Sequence, residues 1–181
     1  MADTTEVNEE DGPVRFMSEL VSLVYDTVPS PVARRFGARL RDGVIAGHKC
    51  PSCAMVYVPP RGYCPLCVIE TGEEHEVEVA DRGTVTTFTV ITPIQYYGQD
   101  ERDDYVLASI LLDGASGTVG QQRVGDIEIA LVRTGMRVEG VWAPPEERHA
   151  VERGGLGGAI TQWRPTGEPD VPHAEFEEHV L

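Results

Sequence analysis

Two C-x2-C pairs hold every cysteine of this 181-residue chain: Cys50 with Cys53, and Cys64 with Cys67. Each pair can form a tight turn, and the proline that follows the first cysteine of each pair favours that turn. Four thiolates around one ion form the closed tetrahedral site that is typical of structural zinc. We therefore predict one structural Zn2+ that is bound by all four cysteines.

Three other uses of these cysteines compete with zinc. Two disulfides would need an oxidising compartment, and the acidic, polar residues 1–15 show no secretory signal. A redox C-x2-C pair would not need a second matching pair. An iron–sulfur site uses similar spacing, and the sequence leaves that metal open. His48 is a candidate fifth ligand, but with four sulfurs present we expect it to be a solvent-facing strand residue.

With its cysteines committed to a metal, the chain has no free thiol nucleophile. A filled four-sulfur site also has no open position at which to activate water. There is no G-x-S-x-G elbow and no Ser-His-Asp order. The histidines are scattered at positions 48, 75, 149, 173 and 179. We predict that the chain has no catalytic residues of its own.

The charge of the chain is uneven. Its net charge is −15, yet the window 34–61 holds six basic residues and one acid, Asp42. The bound metal and its four thiolates would trim this basic island by two charges. Such an island suggests a small anionic ligand or an acidic partner, whereas the acidic remainder repels nucleic acid. The alternative is that the arginines line the exposed face of a helix. The basic residues of the island are Arg34, Arg35, Arg39, Arg41, Lys49 and Arg61.

The fold class that we predict is mainly β, with N-terminal helices, a rubredoxin-like zinc ribbon and a five-stranded OB-fold barrel. A helical face is expected from Phe16, Leu20, Leu23 and Val24, and a second helix from Ser30 to Gly43. After Cys67, short β-branched runs separated by turn residues indicate a small barrel or sandwich. The expected boundaries are a disordered acidic tail at 1–12, helices at 13–43, the ribbon at 44–72, the barrel at 73–165 and a mobile acidic tail at 166–181.

A tyrosine pair, Tyr96 and Tyr97, lies in the loop between the second and third β runs. In an OB-type barrel, that loop flanks the usual ligand face. We therefore treat both tyrosines as candidate contacts for a ligand or a partner. The alternative is that two aromatic side chains simply anchor the loop.

The order of these parts resembles the family of zinc-ribbon and OB-fold proteins catalogued as domain of unknown function 35. The resemblance covers about residues 30–165. It lies in Phe36, in the Pro-Pro-Arg segment 59–61, in the C-P-x-C at 64–67 and in the G-x-x-V at 135–138. The run "DGASGTVGQQRVGDIEIALV" departs from the simpler hairpin that the family pattern predicts.

The resemblance implies a function. Members of this family look like companions of thiolase-superfamily enzymes that act on acyl-CoA, and some of those enzymes are retro-aldolases that shorten steroid side chains in actinobacteria. The implied role is a non-catalytic accessory subunit in a hetero-oligomer, and the polar, acidic start of the sequence predicts a cytoplasmic location. Arg34, Arg35, Arg39 and Arg61 are then candidates to bind CoA phosphates, because arginine forks suit such oxygens. A nucleic-acid binder and an independent lyase or hydratase are the competing interpretations.

Overall fold

A computed structural model describes residues 21, 23, 25, 28–93, 102–149 and 156–180 of the chain. The tail expected at 1–12 lies outside these residues, and so does the predicted helical face of Phe16, Leu20 and Val24. Leu23, the fourth member of that face, is described and is exposed. In the described part of the chain, no helix is both long and apolar enough to cross a membrane.

Helix α1, Pro31–Arg41, begins where the sequence predicts. The Ser30 hydroxyl accepts a hydrogen bond from the Ala33 N–H at 3.2 Å, and Pro31 occupies the first turn, where its missing N–H costs nothing. Gly43, at φ +83°, follows the end of the helix in the left-handed region. Phe36 and Leu40 form the buried face of the helix, which packs on the first strand.

The first five strands form two small sheets. Strand β1, Ile45–Lys49, is the middle of an antiparallel sheet between β2, Val56–Tyr57, and β5, Glu76–Val79. Strands β3, Tyr63–Cys64, and β4, Ile69–Glu70, form a separate hairpin. The run "EHEVEVA", residues 74–80, falls in the segment 73–165 where the barrel is expected. Its strand, β5, instead pairs with β1 and extends the ribbon sheet.

The predicted five-stranded barrel is confirmed. Its strands are β6, Arg82–Ile91, β7, Tyr105–Leu112, β8, Thr118–Val124, β9, Arg137–Trp142, and β10, Ile160–Pro165. They close in the order β10-β8-β7-β6-β9, and only the β8–β10 pair is parallel. The ring is therefore closed by β8, the third strand of the barrel along the chain, pairing with β10, the fifth.

The barrel core is aliphatic around one tryptophan. Val85, Ile110, Val138 and Trp163 are fully buried. The Trp163 indole N–H donates to Gln122 Oε1 at 3.1 Å, so its polar atom is satisfied.

Gly83 marks a close approach of two barrel strands. A Cβ at this position would lie 2.5 Å from the Leu111 carbonyl oxygen of β7. Glycine therefore lets β6 curve tightly enough to pair with both β7 and β9.

The C-terminal segment 166–180 packs on the barrel, which the sequence did not indicate. The Val171 N–H donates to the Gly135 carbonyl at 2.8 Å, and Phe176 is buried. Three arginines of the barrel region pair with acids of this segment, so the acidic tail is tied to the domain by charge as well as by an aromatic anchor. The pairs are Arg82 with Glu168, Arg137 with Glu168, and Arg133 with Asp170.

Five short 3-10 helices complete the described structure. They are Glu73–His75, Ile129–Leu131, Pro145–Glu147, His173–Glu175 and Glu177–His179.

Candidate metal centre

Two matching turns bring the four cysteines together. The Ala54 N–H donates to the Cys50 carbonyl at 3.0 Å, and the Val68 N–H donates to the Cys64 carbonyl at 2.8 Å. Ala54 and Val68 each follow the second cysteine of a pair, and each has a left-handed backbone, at φ +61° and +55°. The two C-x2-C pairs therefore fold as the same knuckle twice.

The sulfur atoms have the spacing of a metal site. All four Sγ atoms lie within 4.8 Å of one another, and Cys53 Sγ is 3.7 Å from Cys64 Sγ. A tetrahedral ion with Zn–S bonds of about 2.3 Å would put its sulfur ligands about 3.8 Å apart. The four cysteines are free thiols in this structure, so neither disulfide of the competing interpretation is present.

Backbone N–H groups already point at the sulfurs. The Cys67 N–H lies 3.5 Å from Cys64 Sγ, and the Ser52 N–H lies 3.4 Å from Cys50 Sγ. Such hydrogen bonds favour thiolates over thiols. The donor set, its spacing and these N–H groups therefore fit a metal ion whose ligands are four thiolates.

Two of the thiols differ in how readily they ionise. Burial raises the pKa of Cys64, but hydrogen bonds from the Cys67 and Leu66 N–H groups and from the Cys50 and Cys53 thiols together outweigh it, and the pKa falls to about 6. The Met55 N–H lowers the pKa of Cys53, but burial and the three neighbouring thiols outweigh it, and the pKa rises to about 12. Without a cation, four adjacent thiols therefore do not all ionise together, and a bound divalent ion would remove that conflict.

The expectation that His48 faces solvent is wrong. The side chain is buried, and its Nδ1 lies 3.1 Å from the Thr71 hydroxyl. Burial lowers the pKa of His48, because the charged imidazolium loses its hydration there. His48 is a satisfied core histidine between the ribbon sheet and the chain after β4, and it is not grouped with the four sulfurs.

Two arginines of the basic island bind acids of the same domain. Arg35 forms ion pairs with Glu73 and Glu76, and Arg39 forms ion pairs with Glu76 and Glu78. Glu76 lies at the centre of this cluster, with a side chain that is 14 % exposed. These contacts fasten α1 to the β5 edge of the ribbon sheet, and they occupy two of the four arginines that were candidates for CoA.

The other two candidate arginines for CoA, Arg34 and Arg61, are not held in ion pairs within the described residues. Arg34 is exposed, and Arg61 stands 5.9 Å from the centre of the Tyr57 ring, a weak cation–π contact. Tyr96 and Tyr97 lie in the β6–β7 loop, outside the described residues.

Sequence reasoning missed an apolar surface on the second knuckle. Tyr63, Leu66, Val68 and Ile69 are all exposed, with Val68 at 83 %. The signal was present in the run "YCPLCVI", which spans 63–69 without a charged residue. We call these four side chains the knuckle tip.

The comparison with protein families identifies the barrel. Residues 76–143 match the model described as "ChsH2, C-terminal OB-fold domain". Residues 76–143 are therefore similar to this OB-fold domain. They include β6 to β9 and the G-x-x-V at 135–138, so the match confirms the resemblance drawn from the sequence.

Solved structures are also similar to this chain. One is the "Ltp2-ChsH2(DUF35) aldolase": it is 17 % identical, with a TM-score of 0.55, and the match covers 77 % of this chain and 98 % of that chain. The covered 77 % of this chain is about 139 residues. Only 106 residues lie from position 76, where the family match begins, to the end of the chain, so the shared fold also includes part of the chain before position 76. Another is a DUF35-family protein of unknown function from Sulfolobus solfataricus, which is 22 % identical with a TM-score of 0.49, and the match covers 61 % of this chain and 78 % of that chain. No curated protein matched the chain.

Proposed function

We propose that this protein is a non-catalytic accessory subunit of a thiolase-superfamily enzyme, either a thiolase or a retro-aldolase, that acts on acyl-CoA in steroid side-chain or lipid breakdown. The match of residues 76–143 to the ChsH2 OB-fold domain carries the proposal. The structure that shares its fold at a TM-score of 0.55 is an aldolase with a ChsH2 component, which supports a partner of the same class here.

The chemistry of the described residues supports a role without catalysis. The four cysteines converge on one closed site, so they supply neither a nucleophile nor an open metal position. His48 and the Thr71 hydroxyl that it contacts are both buried, so this pair is not presented to a substrate. A companion that supports assembly, or that completes a partner's acyl-CoA site, needs none of these groups to react.

We further propose that the metal is zinc and that its role is structural. Cys50, Cys53, Cys64 and Cys67 would hold it, and the 3.7 Å sulfur separation supports a tetrahedral ion. When bound, the ion supplies no reaction but fixes the two knuckles relative to each other. Iron in the same four-sulfur site is the alternative that elemental analysis would detect.

Within the basic island, we propose that Arg34 and Arg61 contribute to binding CoA phosphates. Both are exposed, and neither forms an ion pair with an acid in the described part of the chain. The first turn of α1 also lies against the segment that follows Arg61, because a Cβ at Gly62 would meet Val32 at 3.3 Å. Charge-assisted hydrogen bonds from two such guanidinium groups suit a diphosphate.

The deciding experiment is recovery of the tagged, full-length protein from the cells in which it occurs. We expect a thiolase-fold subunit to accompany it, and acyl-CoA thiolysis or aldol cleavage to require both proteins. The purified chain alone should give no turnover of acyl-CoA. Activity of the isolated chain, or recovery without any thiolase-fold protein, would refute the proposal.

Nucleic-acid binding remains the competing function, since ribbons and OB folds both serve it. The net charge of −15 opposes it, because such binding depends on neutralising phosphates. Fluorescence anisotropy with a labelled single-stranded oligonucleotide tests it directly, and we expect no binding at about 150 mM salt, where non-specific contacts to phosphates are already weakened.

A further inference from the structure

The apolar side chains of the knuckle tip contribute little to the stability of the isolated chain, because they are mostly exposed to solvent. Leu66 and Val68 are 68 % and 83 % exposed, and Tyr63 and Ile69 flank them. No charged residue lies between positions 63 and 69. Single exposed apolar side chains are ordinary on protein surfaces, whereas a group of them without a charged neighbour is typical of interaction sites.

Val68 is a second indication that the knuckle tip is an interaction surface, because it occupies a backbone conformation that valine disfavours. Its φ of +55° lies in the left-handed region, where a β-branched side chain is a true outlier. The equivalent position in the first knuckle holds Ala54, at φ +61°. The exposed valine therefore has a conformational cost that its own packing does not offset. Because Ala54 shares the conformation, the knuckle itself imposes it, and the feature that points to a function is the choice of an exposed β-branched side chain at position 68.

We propose that the knuckle tip is the docking surface for the thiolase-fold partner, with Leu66 and Val68 inserted into an uncharged groove of that subunit. This inference rests on the proposed function. It adds the surface through which the partner binds and the chemistry of the groove that accepts it.

The backbone under the tip is already fixed. The Val68 N–H donates to the Cys64 carbonyl at 2.8 Å, and the Cys67 N–H contacts Cys64 Sγ at 3.5 Å. The tip therefore carries two of the four metal ligands on its own turn. A rigid apolar projection loses little conformational entropy on binding, which raises the affinity that a small contact can reach.

Charge favours a different protein over a second copy of this chain. Residues 28–79 contain six basic and six acidic side chains, so their formal charge is zero before the two negative charges of a metal bound by four thiolates are added, and the remaining residues carry the formal net charge of −15. A tip-to-tip dimer would bring two strongly acidic chains together, which their mutual repulsion opposes. Arg61 and Glu70 both lie at the base of the β3–β4 hairpin, where Glu70 pairs with Tyr63, so a partner has to offer an apolar groove for Leu66 and Val68 that tolerates charges of both signs at that one end.

The chain that enters α1 can extend this surface. A Cβ at Gly62 would lie 3.3 Å from Val32 Cγ2, so the start of the helix contacts the residue before β3. Val28, four residues earlier, is an apolar side chain that is almost fully exposed. Val32 is therefore the apolar side chain at the helix start that lies nearest to the β3–β4 hairpin, and Val28 is a further exposed apolar side chain in the segment that leads to it.

Site-specific photocrosslinking tests the docking surface. A benzoyl-phenylalanine is placed at position 66 or, as a matched control, at Leu131, an exposed leucine on a short helix beside the barrel. Both full-length proteins are expressed in the native cells, irradiated and analysed by mass spectrometry. We expect a crosslink to a thiolase-fold subunit from position 66 and none from position 131. A crosslink from position 66 to a second copy, or to a protein of another fold, would overturn the proposal.

A paired variant separates this inference from the proposed function. Leu66→Ser with Val68→Thr should lower the amount of co-purifying thiolase-fold subunit at least tenfold, whereas Leu131→Ser should leave it unchanged, and each protein should keep one metal per chain. If the wild type recovers the subunit and the paired variant recovers it equally well, the docking surface lies elsewhere and the accessory function stands. If the wild type recovers no such subunit, the accessory function itself fails, and the docking proposal fails with it.

Discussion

Replacing Val68 by glycine should stabilise the isolated protein, although exposed Val→Gly changes ordinarily destabilise. The left-handed backbone costs an L-residue about 1–2 kcal/mol, and a β-branched side chain falls at the upper end. Glycine removes that cost at φ +55°. The same change should weaken the complex, because it deletes the apolar side chain at the knuckle tip.

Two opposing terms reduce the gain. Glycine in the unfolded chain has more freedom to lose, which costs about 0.5–1 kcal/mol. The lost burial is small: Val68 is 83 % exposed, so roughly a sixth of the valine transfer free energy, or about 0.4 kcal/mol, is forfeited. Subtracting both from a relief of about 1.5–2 kcal/mol leaves a net stabilisation of about 0.5 kcal/mol. For a chain of this length, that is a rise of about 1–2 °C in Tm.

The assay is reversible guanidinium unfolding of the metal-loaded protein, followed by circular dichroism. Val68→Thr keeps the branched shape and the strain, so it should leave the midpoint within error of the wild type. Ala54→Gly relieves the same conformation for an unbranched residue and should give a smaller gain than Val68→Gly. A loss of about 1 kcal/mol for Val68→Gly, as expected for an exposed valine at an ordinary φ, would refute the strain argument.

Four further outcomes are expected. Cys64→Ser should abolish stoichiometric metal, measured by elemental analysis, and yield largely insoluble protein, because metal binding in such sites contributes on the order of 10 kcal/mol to folding. Glu76→Gln should lower the unfolding midpoint, because it removes the acid shared by two arginines, and the loss should shrink in about 1 M NaCl as the charges are screened. Phe176→Ala should cost about 3 kcal/mol in chemical denaturation, unless the segment 166–180 unfolds separately, which hydrogen exchange would show as early loss of protection there. Arg34→Ala with Arg61→Ala should weaken calorimetric binding of acyl-CoA to the complex by about tenfold or more, whereas unchanged affinity would remove both residues from the ligand site.

What the sequence could predict was local. The two knuckles follow from residues three positions apart, and the start of α1 follows from Ser30 and Pro31. The barrel was also accessible, because its strands are separated by clear turn residues. The number of barrel strands was right, but the "EHEVEVA" run belongs to the ribbon sheet, and only its pairing with β1 reveals this.

What the sequence could not predict was long-range. Arg35 and Glu76 are 41 positions apart, so nothing in the local pattern shows that half of the candidate arginines are neutralised. The burial of Phe176 depends on a barrel surface formed by residues far along the chain. The strain at Val68 is a backbone property: its position after a second cysteine was visible, but the sign of its φ was not.

These long-range contacts give the four candidate arginines of the basic island two different roles. Arg35 and Arg39 hold helix α1 on the β5 edge, so their loss should disturb the fold before it disturbs any ligand. Arg34 and Arg61 are exposed and form no ion pair with an acid in the described part of the chain. A triple variant at 34, 35 and 39 would therefore confuse folding with binding. The pair at 34 and 61 isolates binding, and comparing it with the knuckle-tip variant separates CoA recognition from partner docking.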